Sequence, residues 1–156
     1  MPKVTPFLWY DTRAEEAMNL YVSIFKNSKA GHIARSPGAP PGSNGVMSVT
    51  FELEGQRFMA LNGGPTHPFT PAFSLFVDCE SQEEVDELWR KLGEGGKPGR
   101  CGWLTDKFGL SWQIIPKGLG QMLSDPDPSR CQRVLKAMLQ MDKIDLGGLE
   151  RAYASE

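Results

Sequence analysis

Among 156 residues there are only three cysteines and two histidines, the side chains that most readily hold metals or close disulfides. Cys79, Cys101 and Cys131 are odd in number, widely spaced and without a CxxC pair. That excludes a disulfide framework and points to a reducing cytoplasm. His32 and His67 stand in different segments with no HxH or HxxxH spacing, so they read as surface or internally satisfied residues, not as metal ligands. Positive charge is not in excess either. Seventeen Lys and Arg against 19 Asp and Glu give a net charge of −2, which offers no basic field for nucleic acid. No apolar run approaches the roughly 20 residues needed to span a bilayer, and the opening MPKVTPFLWYD lacks the apolar core of a signal peptide. There is no GxSxG elbow and no Cys–His pair close in sequence to make a nucleophile. GLG at 118–120 follows a strand pattern, but without the alternating βαβ context that a dinucleotide site demands. What remains is a cytoplasmic chain the size of one domain, or of two small modules sharing a core, with 40% hydrophobic residues to build it.

The order of elements is legible from periodicity. Val4 to Asp11 is dense in aromatics and predicts a first strand. Ala14, Ala17, Met18, Tyr21, Val22 and Phe25 then recur at helical spacing, with Glu15 and Glu16 in the first turn where the helix dipole favours acids. The helix ends near Asn27 and Ser28, and a short strand is expected around Gly31 to Arg35. SPGAPPGSNG (36–45) has nothing apolar to bury and predicts a mobile loop. Val46 to Leu53 alternates as a strand, Glu54-Gly55 turns the chain, and Arg57 to Asn62 returns antiparallel. GGPTHPFTP (63–71) reads as a linker.

The second half repeats the first. Phe73 to Asp78 is a strand ending in an acid. An acidic helix follows, with Val85, Leu88, Trp89 and Leu92 on one face and a glycine-rich stop. Glu15-Glu16-Ala17 aligns with Glu83-Glu84-Val85, and the hairpin glycine Gly55 aligns with Gly109, so one unit occurs twice. The middle of the second copy is shorter, and CGWLTD (101–106) must supply its strand. Beyond the repeat, Asp125-Pro126-Asp127-Pro128 starts a helix that carries Val134, Leu135, Met138, Leu139 and Met141. A shorter helix after Asp145 presents Leu146, Leu149 and Tyr153. Such a tail packs on the sheet or on a partner subunit more readily than it forms a ligand groove.

Two questions of chemistry are left. Glu15-Glu16 and Glu83-Glu84 are adjacent pairs at exposed helix starts and compensate the dipole; they are not an acid–base pair. In FGLSWQIIP (108–116), alternation puts Ser111, Gln113 and Ile115 on one face; Arg57, Met59 and Leu61 share the matching face in the first copy, and Ala72, Ser74 and Phe76 share one in the next strand. Curled sheets would let these faces line a common cavity.

LWYDTRAEEAMNLYVSIF (8–25), VTFELEGQRFMALNGGP (49–65) and DKFGLSWQIIP (106–116), set in a duplicated βαβββ unit, resemble the vicinal oxygen chelate, or glyoxalase/bleomycin-resistance, superfamily. The resemblance is closest to its PhnB-like branch, which carries a demethylubiquinone methyltransferase label. It implies an α+β fold of two tandem βαβββ modules, about 1–65 and 66–120, within a domain spanning 1–145, and a helical extension over 121–156. It also implies a homodimer. In metal-dependent relatives one ligand lies early in each module's first strand and another lies four residues after the hairpin glycine, which here gives positions near Pro6 and Ser74, and Met59 and Gln113. None of these is His or Glu, so the implied protein lacks the standard metal site and has no cofactor. It binds a small molecule in a cavity lined by Gln113, Ser74, Met59, Trp9, Asn62 and Trp103, where Trp9 and Trp103 read equally well as core aromatics. The alternative is a lyase, isomerase or transferase with a non-standard site. No nucleic acid or membrane partner is implied.

Overall fold

The computed structural model describes residues 2–155, which divide into two compact units with the boundary after Phe69. Each holds a four-stranded mixed sheet with a helix across one face.

In the first unit, β1 (Phe7–Tyr10) runs parallel to β4 (Gln56–Asn62), and β3 (Val46–Leu53) lies between β4 and β2 (Lys29–Arg35), giving the order β1-β4-β3-β2. Alternation decides which face is covered. Leu8, Tyr10, Val49, Phe51, Leu53, Phe58 and Ala60 are buried beneath α1 (Ala14–Ile24), whose Ala14, Ala17, Met18 and Tyr21 close the core. The opposite face carries Phe7, Trp9, Met59 and Leu61, and the register sets Phe7 beside Met59 and Trp9 beside Leu61. The Glu54-Gly55 turn uses positive φ at both residues (50° and 82°), as a two-residue hairpin requires.

In the second unit, β5 (Ser74–Cys79) runs parallel to β8 (Ser111–Pro116), followed by β7 (Trp103–Thr105) and the edge strand β6 (Lys97–Pro98). α2 (Gln82–Gly93) buries Val85, Leu88 and Leu92 on this sheet, and the Ser81 side chain accepts the Glu84 N–H at its N-terminus. Three helices follow: α3 (Lys117–Leu123), α4 (Pro128–Met138) and α5 (Leu146–Ala154). They form a second cluster in which Leu119, Val134, Ile144 and Leu149 pack on Ile115 of β8. Gln82 ties this tail to α2: its amide donates to the Ile144 carbonyl at 2.9 Å and accepts from the Leu146 N–H at 2.7 Å. Arg133 closes the end of α5 by donating to the carbonyls of Ala152 (2.9 Å) and Tyr153 (3.0 Å).

The α+β fold of two βαβββ modules with a C-terminal helical tail is therefore present, with three local differences from expectation. β1 starts at Phe7, not Val4, because Pro6 has no N–H for a ladder; its carbonyl accepts from Met59 N–H at 3.0 Å, and Val4 is exposed. The second module completes its three strands after the helix with the two-residue β6, which had no sequence signal of its own and is closed off at the edge by Pro98. GLG at 118–120 lies inside α3, where burial of Leu119 outweighs the low helix propensity of Gly118 and Gly120. The 36–45 loop is built from turns with internal hydrogen bonds. Ser43 is buried, with its hydroxyl on the Pro40 carbonyl at 2.6 Å, and Arg35 donates to the Asn44 carbonyl at 3.0 Å.

Candidate functional site

β8 is buried at every position but one. Ser111, Trp112, Ile114, Ile115 and Pro116 are closed off, and Gln113 is half-exposed. Register explains the exception. Trp112 and Ile114 face α2, Ile115 faces the tail cluster, and Gln113 points to the side of the sheet away from α2. On that side its neighbours across the ladder are Phe76 of β5 and Trp103 of β7. Phe76 is 60% exposed and Trp103 half-buried, so an aromatic side chain flanks the amide on each neighbouring strand. The Gln113 side chain donates through Nε2 to Ser74 Oγ at 3.0 Å, diagonally across the parallel pair. Gln113, Ser74 and Trp103, three of the residues expected to line a cavity, lie on one face of this sheet. Phe76, which alternation with Ser74 had put on the same face but which was not in the expected lining set, stands directly beside Gln113.

The first-unit candidates divide differently. Met59 is half-exposed and sits beside Phe7, which is 51% exposed. This pairing corresponds to Gln113 beside Phe76, so both copies carry an exposed phenylalanine next to the residue four past the hairpin glycine. Trp9 is on the same face but largely engaged. Its indole N–H donates to the Gly64 carbonyl at 2.9 Å, and His67 meets its ring edge-on at 4.8 Å between centroids. The segment after β4 thus folds back over Trp9, and only glycine fits at 63, because a β-carbon there would lie 2.3 Å from the indole. Asn62 is 1% exposed and belongs to the opposite, helix-covered face. Its Oδ1 accepts from Ala14 N–H at 2.9 Å and its Nδ2 donates to the Val46 carbonyl at 3.0 Å, so both ends of the amide are engaged within the fold.

Two buried polar groups outside the candidate set serve the scaffold. Asp106 accepts at Oδ1 from the N–H groups of Phe108 (2.9 Å) and Leu110 (3.0 Å), and at Oδ2 from the Trp112 indole (2.9 Å). It fixes the hairpin that delivers Ser111 and Gln113 to their face. Cys79, fully buried at the end of β5, has its thiol pushed up to about 12 by burial, reinforced by the charges of Glu84 and Asp78. A separate groove of about 510 Å³ lies between α2 and β6–β7, lined by Trp89, Arg90, Gly93, Glu94, Pro98 and Leu104. It contains none of the sequence candidates.

A divalent metal is the group that the fold family brings to mind at Ser74 and Gln113 in the second unit and at Met59 in the first. These positions offer a hydroxyl, an amide and a thioether, and the described residues contain no group of three or more His, Cys, Asp or Glu side chains that could hold a metal ion. Neutral donors of this kind do not offset the dehydration of a hard divalent cation, so the residues present do not fit one.

The duplicated βαβββ units, each with a helix on one side of a mixed sheet, are those of the vicinal oxygen chelate superfamily. Within it, the family described as 3-demethylubiquinone-9 3-methyltransferase matches residues 2–115, and the chain belongs to that family, the PhnB-like branch. Its fold is similar to that of a PhnB protein from Bacillus cereus, which bears a provisional label of the same kind: identity is 40% over 74% of this chain and 99% of that one, with a TM-score of 0.68. Protein PA1353 from Pseudomonas aeruginosa shares the fold at 19% identity over 75% of this chain and 98% of its own, with a TM-score of 0.64. The fosfomycin resistance protein FosX from Listeria monocytogenes does so at 13% identity over 74% and 93% of the two chains, with a TM-score of 0.50. No curated protein matches. Among the described residues no helix is long and apolar enough to cross a membrane.

Proposed function

We propose that this chain binds a small molecule on the sheet face around Gln113, using side-chain amide and hydroxyl groups where metal-dependent relatives use metal ligands. The observation that carries this reading is the single break in the burial of β8. Gln113 alone is left accessible, its amide is oriented by Ser74, and aromatic side chains flank it on both neighbouring strands. A few placed polar groups in an apolar and aromatic surround are what a small-molecule site needs. A residue kept only for packing would be better served there by Ile or Val, as at Ile114 and Ile115. Met59 and Phe7 offer the corresponding, wholly apolar position in the first unit, and Trp9 stands beside them. The protein acts in the cytoplasm as a homodimer in this reading, which sedimentation would test.

A thermal-shift screen of metabolites and drug-like compounds tests the proposal, because a ligand that prefers the folded state raises the melting temperature. The expected result is at least one compound whose shift disappears in Gln113→Ala. Shifts that survive that substitution would reduce Gln113 to a strut and overturn the reading. Turnover of a bound compound would move the same site from binding to lyase, isomerase or transferase chemistry.

A further inference from the structure

We infer that the ligand of the Gln113 face is an uncharged, planar ring compound with a carboxamide- or lactam-type edge, and not a carboxylate or a phosphonate. This rests on the binding reading above and narrows it to a chemical class.

The polar inventory sets the edge. With Gln113 Nε2 donating to Ser74 Oγ, the Ser74 hydroxyl hydrogen, the Gln113 Oε1 lone pairs and the second amide hydrogen remain to be matched. Turning the amide over changes the partners but not the kind: Ser74 then donates to Oε1, and two amide hydrogens and oxygen lone pairs are left. In either arrangement the pair presents donors and acceptors side by side, without net charge. A carboxamide edge, with one C=O and one N–H, answers both. A carboxylate or a fully ionised phosphonate can take the donors of the pair but has no hydrogen to give its free oxygen lone pairs, which are left unmatched.

Charge points the same way. The ionisable groups that alternation and register place on this face are Asp78, two residues beyond Phe76 on β5, and Lys97, at the edge of the sheet opposite Thr105. Neither stands beside Gln113. The position across β5 is Phe76 and the position across β7 is Trp103, so neither ladder neighbour of the amide is a cation, and an anion would meet the acid of Asp78 along the strand. The same two aromatics supply the planar preference. One lies on each side of the amide, and Phe76 is 60% exposed, a large apolar surface that a ring would cover.

Ligand-observed NMR on the full chain, with benzamide, benzoate, phenylphosphonate and cyclohexanecarboxamide as probes, tests the class. Benzamide should bind, with benzoate and phenylphosphonate weaker by about tenfold or more, because each leaves hydrogen-bonding groups mismatched. Cyclohexanecarboxamide, which cannot stack, should also be weaker. Gln113→Leu and, separately, Phe76→Ala should abolish benzamide binding. Phe76 is a surface residue, so its substitution leaves the core intact whatever happens to Gln113→Leu. Binding of benzoate or phenylphosphonate as tight as benzamide, and lost in Gln113→Leu, would overturn the class while the site stands. Benzamide binding indifferent to both substitutions, or no binding of any probe, would overturn the inference. Only if no compound of the wider screen depends on Gln113 does the binding reading fail with it.

Discussion

The side-chain oxygen of Asn62, at the end of β4, accepts the backbone N–H of Ala14, at the start of α1, at 2.9 Å. Arg13, at the N-cap position of that helix, makes no side-chain cap, so Asn62 closes the helix from 48 residues away. Its amide nitrogen meanwhile holds the Val46 carbonyl. Asn62→Ala should therefore cost about 3 kcal/mol, since two buried backbone groups lose their partners. Asn62→Asp should cost at least as much, because a carboxylate oxygen would then face the Val46 carbonyl. Denaturant titration reads both, and a loss under about 0.5 kcal/mol, the range of ordinary surface changes, would count against this account.

Asp106 predicts a sharper contrast. Asn keeps one oxygen for the N–H groups of Phe108 and Leu110, but turns its amide nitrogen toward the Trp112 indole N–H, which also donates. Asp106→Asn should destabilise by about 2–3 kcal/mol despite its matching shape. The Trp112 environment should also shift, visible as a change in near-ultraviolet circular dichroism. If the Asn variant is as stable as the parent, the indole contact does not matter to the hairpin.

How far the sequence revealed this arrangement varied with the physics of each element. β3 was legible to the residue, Val46 to Leu53, because one face is buried and alternation is clean. The repeat was legible through Gly55 and Gly109, since both turns need positive φ. α3 was not, because Gly118 and Gly120 argue against a helix and only the packing of Leu119 on the tail cluster overrides them. β6 was not, since two residues carry no periodicity. At the site, alternation sufficed to put Gln113, Ser74 and Phe76 on a common side. The hydrogen bond between Gln113 and Ser74 depends on the parallel register of β5 and β8, which no local pattern specifies. Asn62 and Trp9 illustrate the same limit. Both lie in the right strands, but the partners that occupy them, Ala14 and Gly64, come from elsewhere in the unit.

Cys79 should be chemically silent in the folded protein. Its thiol is buried and pushed up to about 12, so at pH 8 the reactive thiolate is absent. Thiol labelling under native conditions should spare Cys79, and denaturation should expose it. The same shift makes stability depend on pH. Below the ordinary thiol value of 9.0 both states are protonated and the contribution is intact. Between pH 9 and about 12 the unfolded chain loses its proton first, so stability falls with rising pH. Cys79→Ala should flatten that part of the profile; an unchanged slope would assign it to other groups.

Metal addition discriminates most directly between this chain and the metal-dependent members of its superfamily. Ser74 and Gln113 provide a hydroxyl and an amide, and Met59 in the other unit only a thioether, and neither position meets the cost of stripping water from zinc, nickel or manganese. Excess metal should therefore leave the melting temperature of the purified protein unchanged, since only a species that binds the folded state raises it. Chelator treatment should be equally without effect. Replacing Ser74 by His and Gln113 by Glu would put an imidazole and a carboxylate on side chains that already meet at 3.0 Å. That double variant should acquire a metal-dependent upward shift which the parent lacks. Stoichiometric metal in the parent protein, or a shift of equal size in parent and variant, would mean that ions are held by donors other than these.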